Sequence, residues 1–176
     1  MRKYLYLISV SGFIIALDQL VKIYVHTSFK LGESVPVIQN IFHITYVRNF
    51  GAAFGLLSES HPAFREAFFL VMPPVALIVI LVILRRVQNE KTAEIIALAA
   101  VFGGAVGNYI DRLRFRYVID YLDFHWYGKY SFPAFNIADS SIVCGVAVIF
   151  ISLLLENRLN KKNIENVLEL PRKGPS

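Results

Sequence analysis

Four long stretches without a single charged side chain dominate this chain of 176 residues. They cover residues 4–17, 68–84, 95–110 and 140–155, and each is 14 to 17 residues long. A helix that crosses a bilayer needs about 20 mostly apolar residues, and each stretch reaches that length once its flanks are included. The sequence therefore predicts an all-α membrane protein with four transmembrane helices, at about 5–25, 66–85, 93–112 and 137–156.

The composition supports this interpretation and excludes two other classes of protein. Hydrophobic residues make up 56% of the chain and charged residues 18%, whereas soluble domains carry about 25% charged residues. A disordered chain would be poor in apolar residues, and a disulfide scaffold needs more than the single Cys144, which we expect to serve packing within a span. Arg2 and Lys3 before the first span also suit a signal peptide, but no small-residue cleavage site follows it.

The basic residues predict the orientation of the four spans. Four crossings place both termini on one side, and the short segments on that side hold ten of the 18 basic residues. Because cytoplasmic loops are enriched in Lys and Arg, this side is predicted to be cytoplasmic, including a polar, frayed tail at 157–176. The ten residues are Arg2, Lys3, Arg85, Arg86, Lys91, Arg158, Lys161, Lys162, Arg172 and Lys173. They form no single basic face or motif for nucleic acid.

The outer side receives two connections, at 26–65 and 113–136. Residues 35–47 are rich in β-branched and aromatic side chains, which predicts short strands. Residues 50–55 suit a tight turn, and residues 58–69 predict a short amphipathic helix that leads into the second span. Strands and helix at about 27–65 would lie on the outer leaflet, although an ordinary packed loop fits the pattern equally well.

All five aspartates fall on this outer side, at or near span ends: Asp18, Asp111, Asp120, Asp123 and Asp139. Acids beside a span are costly and need a partner or a function. Asp18 and Lys22 are four residues apart, which predicts an ion pair within one helix. Two carboxyl groups brought together share a proton and can act as base and acid on a peptide bond, but the pattern alone does not identify the pair.

Other acids and amides have plainer interpretations. Asn136 or Asp139 suits the cap of the fourth helix, and Asp111 suits a partner for a basic neighbour that orients the loop. Arg112 offers a forked donor to a carbonyl or phosphate-like group. Asp123 is expected to be a solvated loop acid. The four histidines show no metal-binding spacing.

The third span carries small residues at every fourth position, followed by polar ones. Small residues at this spacing allow helices to pack closely in lipid. One row contains Gly103, Gly107 and Asp111, and the adjoining row contains Ala100, Gly104, Asn108 and Arg112. Close packing explains the glycines, but it does not explain the polar cluster at the outer end.

Five motifs in this order resemble those of bacterial lipoprotein signal peptidase, also called signal peptidase II. The resemblance runs from about Asp18 to about Leu155. The motifs are Asp18-Gln19-x-x-Lys22, Arg48-Asn49-x-Gly51-Ala52-Ala53-Phe54-Gly55, Gly103-Gly104-Ala105-x-Gly107-Asn108-x-x-Asp111-Arg112, Val118-Ile119-Asp120-Tyr121 and Phe135-Asn136-x-Ala138-Asp139-Ser140. One departure is Tyr121, where the family has Phe, and its hydroxyl is expected near the catalytic acids.

This resemblance implies a four-helix bundle with a small β-cradle and a surface helix on the outer side. It implies an aspartic endopeptidase of the inner membrane that cuts diacylglyceryl-modified prolipoproteins before the lipidated cysteine. The catalytic pair corresponds to Asp120 and Asp139. The residues that contact substrate correspond to Asn49, Asn108, Arg112 and Asn136, and the supporting positions are Asp18, Lys22, Gly51 and Asp111.

The resemblance implies a single domain over 1–176 that uses no cofactor or metal. The expected partners are the prolipoprotein and membrane lipid, and a monomer suffices. Two rival classes stay open on the residues alone. They are a proton-conducting transporter, since intramembrane acids mark ion paths, and a non-catalytic assembly subunit whose aspartates serve as caps and ion pairs.

Overall fold

Four long helices form the body of the molecule. A computed structural model of the chain describes residues 1–51, 57, 60–126 and 130–168. The helices are α1 (Arg2–Ser28), α2 (Pro62–Arg86), α3 (Thr92–Phe115) and α4 (Ile137–Leu168). Each contains a stretch long and apolar enough to cross a membrane, which confirms the four predicted spans. The fourth continues as a helix to Leu168, so the stretch predicted to be a frayed tail is helical this far.

A small antiparallel sheet packs at one end of the bundle. Its strands are β1 (Ser34–Ile38), β2 (Phe42–Asn49), β3 (Val118–Trp126) and β4 (Tyr130–Ser131), in the order β1-β2-β3-β4. The first two confirm the strands predicted at 35–47. The other two come from the connection between α3 and α4, where we predicted none, so the sheet is not confined to 27–65.

The predicted surface helix at 58–69 is not a separate element among the described residues. Pro62 to Phe69 are the first turns of α2, which runs without interruption to Arg86. Proline fits the first turn of a helix because its missing N–H has no partner there. Residues 58 and 59 lie outside the described residues, as do 52–56 of the predicted turn.

Glycines on α3 set the spacing of the bundle, as the sequence predicted. A Cβ added to Gly103 would lie 2.9 Å from the Cα of Ser11 on α1. A Cβ on Gly104 would overlap the carbonyl oxygen of Ala138 on α4. Because small residues let helix backbones approach closely, α3 packs between α1 and α4 at distances that larger side chains would prevent.

The outward faces of the helices are apolar. Ile8 and Phe13 on α1 are 69% and 67% exposed, and Val143 on α4 is 67% exposed. Such a surface suits contact with lipid chains. Cys144, which we expected to pack inside a span, is also exposed on this surface.

The interior has two apolar clusters with polar residues between them. One cluster joins α1, α2 and α3 around Leu7, Leu84 and Ile95. The other joins the end of α1 to the sheet through Val25 and Tyr121. The buried polar side chains between them are Asp18, Lys22, Asn108, Asp111, Asp120 and Asn136.

Candidate active site

Strand pairing places Asp120 beside Asn49. In the antiparallel pair of β2 and β3, Asp120 lies opposite Val47 and Val118 lies opposite Asn49. Residues two apart on a strand share a face, so Asn49 and Asp120 are diagonal neighbours. The Asn49 amide Nδ2 donates to Asp120 Oδ2 over 3.0 Å. The Asn49 Oδ1 atom accepts the N–H of Gly51 over 2.9 Å, which fixes the turn after β2.

Asp139 lies in the first turn of α4 and forms a capping box with Asn136. The Asn136 Oδ1 atom accepts the Asp139 N–H over 2.8 Å, and Asp139 Oδ2 accepts the Asn136 N–H over 3.3 Å. Reciprocal bonds of this kind satisfy the free N–H groups at a helix start. The predicted capping role is therefore confirmed for both residues, and the cap also fixes the position of the Asp139 carboxylate.

The remaining N–H groups of this helix start also have partners. The Ala138 N–H donates to Asp18 Oδ1 over 3.0 Å, and the Ile137 N–H donates to the Tyr121 hydroxyl over 3.2 Å. Tyr121 was expected to place its hydroxyl near the catalytic acids, and the hydroxyl oxygen accepts this bond from Ile137, two residues before Asp139. Two distant parts of the chain thus position the beginning of α4.

Two asparagine side chains connect the carboxyl groups of Asp120 and Asp139. The Asn136 Nδ2 atom donates to Asp120 Oδ1 over 2.7 Å and lies 3.2 Å from Asn108 Oδ1. The Asn108 Nδ2 atom donates to Asp139 Oδ1 over 2.7 Å. Because an amide both donates and accepts, these two side chains hold the carboxyl groups in fixed relative positions.

Lys22 is fully buried behind this amide pair. Its ammonium contacts Asp18 Oδ2 at 2.8 Å and Asp111 Oδ2 at 3.0 Å, and it donates to Asn108 Oδ1 over 2.8 Å. The predicted pair of Asp18 and Lys22 is confirmed. Two carboxylate oxygens and one amide oxygen thus surround the buried ammonium group.

Asp111 orients the start of β3, in agreement with its predicted role. Its Oδ2 atom accepts the N–H of Ile119 over 3.1 Å. Its Oδ1 atom accepts a bond from Gln19 Nε2 over 2.9 Å, and Gln19 also donates to the carbonyl of Gly107 over 3.1 Å. We did not assign a role to Gln19 from the sequence, although its place beside Asp18 in a motif was a usable signal.

Arg112 connects α3 to the turn after β2 and to α2. Its Nη2 atom donates to the carbonyl of Gly51 over 3.1 Å, and its guanidinium lies 4.6 Å from the ring centroid of Phe69. The predicted bond to a carbonyl is therefore present. All ten residues predicted for the site belong to one connected network of side chains and turn backbone.

A cavity of about 600 Å³ opens on Asp120. The cavity is bounded by β2, β3 and the segment before α4, and Arg48, Asn49, Phe50 and Phe132 contribute to its wall. Burial, with a smaller contribution from the nearby Asp139, raises the pKa of the Asp120 carboxyl to about 7, although the hydrogen bonds from Asn49 and Asn136 act in the opposite direction. This carboxyl therefore exchanges a proton near neutral pH.

Asp123 is not the solvated loop acid that the sequence predicted. It lies on β3, its side chain is 15% exposed, and its Oδ2 atom accepts a bond from the Thr45 hydroxyl over 2.8 Å. No group of three or more His, Cys, Asp or Glu side chains in the described ranges is placed to hold a metal ion.

The sequence can be compared with known proteins at this point. A profile of the family described as Signal peptidase (SPase) II matches residues 10–155. The chain belongs to the signal peptidase II family. This family member is therefore a protease, and its four long apolar helices make it a multi-pass membrane protein.

Individual members of the family and solved structures agree with this assignment. The chain is 44% identical over 150 residues to a lipoprotein signal peptidase of Desulforapulum autotrophicum, covering 85% of this chain and 91% of that protein. It is 40% identical over 152 residues to the one of Brevibacillus brevis, covering 86% and 97%. A bacterial membrane enzyme solved by the in meso method has a TM-score of 0.78 and 35% identity, covering 86% of this chain and 88% of the other.

Proposed function

We propose that this signal peptidase II removes the signal peptide from prolipoproteins whose cysteine already carries a diacylglyceryl group. The cut falls on the amino side of that cysteine, and Asp120 and Asp139 perform the hydrolysis. The observation that carries the proposal is a chain of hydrogen bonds between the two carboxyl groups. The side-chain amide of Asn136 donates to Asp120, that of Asn108 donates to Asp139, and the two amides contact each other. An aspartic mechanism needs two carboxyl groups held together with one proton between them.

We assign the two acids different roles in this mechanism. Asp120 is the proton donor, since burial raises its pKa to about 7. Asp139 is the base, since it lies at the start of α4, where the helix dipole and the Asn136 N–H favour a negative charge. Asp139 takes a proton from water as the water attacks the scissile carbonyl, and Asp120 protonates the carbonyl oxygen. Asp139 then gives its proton to the departing amide nitrogen while Asp120 takes back a hydroxyl proton, so the C–N bond breaks, both products leave and both acids return to their starting states. The proposal includes no cofactor.

Polar side chains around the acids orient the substrate in this proposal. Asn49, Asn108 and Asn136 already contact the catalytic carboxyl groups, and they exchange part of these bonds for bonds to the substrate backbone. Arg112 contacts Gly51 in the turn after β2 and Phe69 on α2. From this position it approaches a carbonyl of the substrate. Such positioning contributes a large part of the rate of an enzyme.

The apolar outward faces of the helices fit a substrate with lipid chains. The diacylglyceryl chains stay among apolar helices and membrane lipid, while the scissile bond reaches the cavity at Asp120. We place both termini in the cytoplasm and the acids near the outer face of the inner membrane, because the basic residues gather on the other side. A monomer contains every residue that this mechanism uses.

The test is cleavage of a purified, diacylglyceryl-modified prolipoprotein by purified protein in lipid nanodiscs. The wild type is expected to release the signal peptide, and the unlipidated precursor is expected to stay intact. Asp120→Asn and Asp139→Asn should each lower the rate at least about a thousandfold, because each removes one proton transfer. Peptide release is followed by mass spectrometry, and thermal unfolding verifies that each variant is folded.

Glu33→Gln is the matched control, because Glu33 is an exposed acid outside the cavity. It should cleave at the wild-type rate. Full activity of a folded Asp120→Asn or Asp139→Asn protein would refute the proposed catalytic pair. Proton flux through proteoliposomes without any cleavage would instead support the transporter.

A further inference from the structure

The cavity at Asp120 extends along the sheet to a second acid that the proposed mechanism does not use. Asp123 and His125 line the same cavity as Asp120. They follow Asp120 on the same strand, so the cavity runs along β3 away from the bundle. A polypeptide that leaves the catalytic acids toward water has this wall beside it.

The Asp123 carboxylate is fixed on one side and open on the other. Its Oδ2 atom accepts the Thr45 hydroxyl over 2.8 Å and lies 3.1 Å from His125 Nε2. Thr45 is held in turn by the Ser34 hydroxyl at 2.8 Å. The described residues donate no hydrogen bond to Oδ1, although the side chain is only 15% exposed. A carboxylate that is partly buried and half-satisfied can accept a donor from a ligand.

The two arginines that line the cavity contact aromatic side chains. Arg48 donates to the Tyr46 hydroxyl over 3.0 Å, and its guanidinium lies 4.8 Å from the ring centroid of Tyr117. Arg65 lies 5.3 Å from the ring centroid of Phe50. The acid at the far end of the cavity is therefore available to a positively charged group from outside the protein.

We propose that Asp123 forms a specificity subsite for a basic side chain of the prolipoprotein, on the mature side of the cut. This inference rests on the proposed function. Asp123 follows Asp120 by three positions on β3, which is about 10 Å along the strand at about 3.3 Å per residue. An extended substrate covers the same distance in three residues, so the subsite receives the third residue of the mature chain.

The direction of the substrate follows from polarity. The signal peptide is the apolar part and stays beside the spans, so the polar mature chain runs over the sheet. Lys or Arg at the third position then reaches Asp123 Oδ1, while Glu there is repelled. A partly screened ion pair contributes up to about 1 kcal/mol, so we expect a preference of about fivefold for Lys over Glu.

The experiment is a competition between two lipidated prolipoproteins in one reaction. They differ only at the third mature residue, which is Lys in one substrate and Glu in the other, and mass spectrometry measures both released products. The ratio of their kcat/KM values does not depend on how much of the enzyme is folded. The wild type should prefer Lys about fivefold, Asp123→Asn should bring the ratio close to one, and Asp123→Glu should restore part of it.

Glu33→Gln is again the control, and it should keep the wild-type ratio. Equal cleavage of both substrates by the wild type would overturn the subsite and leave the proposed function intact. A Lys preference that persists undiminished in Asp123→Asn would also overturn it. If neither substrate is cleaved, the proposed function fails together with the subsite.

Discussion

Neutral amides, rather than cations, contact the two carboxyl groups directly. Lys22 is the nearest buried cation, yet it reaches this pair only through Asn108, whose Oδ1 accepts a hydrogen bond from the ammonium over 2.8 Å. A cation in direct contact would favour the ionised carboxylate strongly and lower its pKa. With amides in between, burial determines the proton affinity, and the pKa of Asp120 stays at about 7. The arrangement thus keeps a proton available on Asp120 near neutral pH.

This pKa predicts a pH dependence of cleavage. Asp120 must be protonated to donate, so kcat/KM should fall as the pH rises through about 7. In Asn49→Ala the carboxylate loses the bond from Asn49 Nδ2, which raises the pKa of Asp120 and moves the alkaline fall to higher pH. The pH profile of kcat/KM measures both effects. The exposed Gln39→Ala variant should keep the wild-type profile, and an unchanged profile in Asn49→Ala would contradict the role of Asp120 as donor.

The buried ammonium of Lys22 predicts a large effect on stability. Lys22→Met leaves Asp18 and Asp111 buried without their cation, and breaking a buried ion pair in this way costs about 3 to 5 kcal/mol. Thermal unfolding in detergent should reveal a strongly lowered transition temperature. Lys91→Met is the control, because the pair of Lys91 and Glu156 is exposed to solvent and its loss should leave the transition close to that of the wild type.

Only the local part of this ion cluster could be predicted from the sequence. Asp18 and Lys22 are four residues apart on one helix, so their pairing follows from helical geometry. Asp111 and Asn108 approach Lys22 from α3, more than 80 residues away. No pattern within a segment specifies that approach, because it depends on how closely α1 and α3 pack. The resemblance to a family named these residues, but their contacts required the fold.

At the level of the elements, α3 is the helix against which α1, α2 and α4 pack. It contacts α1 through Gly103 and α4 through Gly104, and it carries Asn108 about one turn and Asp111 about two turns further on. Helix spacing and site geometry are therefore determined by the same two rows of residues. A change of helix separation at the glycines moves Asp139, since α4 carries it.

Gly104→Ala should accordingly destabilise the bundle. The added methyl group overlaps the carbonyl of Ala138 and the hydroxyl of Ser141, and overpacking of this kind costs about 1 to 3 kcal/mol. Gly12→Ala is the matched control, since a Cβ at Gly12 meets no atom within 4 Å and alanine favours a helix. Thermal unfolding should show a lowered transition temperature for Gly104→Ala and no lowering for Gly12→Ala. Equal transitions would contradict the close contact of α3 and α4.

The sheet was only half predicted, for a physical reason. The strands at 35–47 have a run of β-branched and aromatic residues, which is a local signal. β3 has acids at Asp120 and Asp123 that interrupt its apolar pattern, and it is stabilised by non-local pairing with β2. Strand formation depends strongly on such context. The two acids therefore masked the strand that carries them.

At the scale of the whole molecule, the polar site lies between two apolar clusters. The cluster around Leu7 and Leu84 separates it from one end of the bundle, and the cluster around Val25 and Tyr121 joins it to the sheet. Water can therefore reach Asp120 through the cavity beside the sheet. An orientation with the sheet outside the cytoplasm is what a protease acting on exported lipoproteins requires.

This orientation can be tested with single cysteines in a Cys144→Ser background, since Cys144 is the only natural cysteine. Glu33 lies before β1 on the sheet side, and Gln88 follows α2 at the opposite end, and both are exposed. A maleimide that cannot cross membranes should label Glu33→Cys in intact cells, and Gln88→Cys only after the membrane is permeabilised. Arg85 and Arg86 beside Gln88 favour the cytoplasm, because basic residues are retained there. The reverse labelling would invert the topology and place Asp120 and Asp139 on the cytoplasmic side, away from exported substrates.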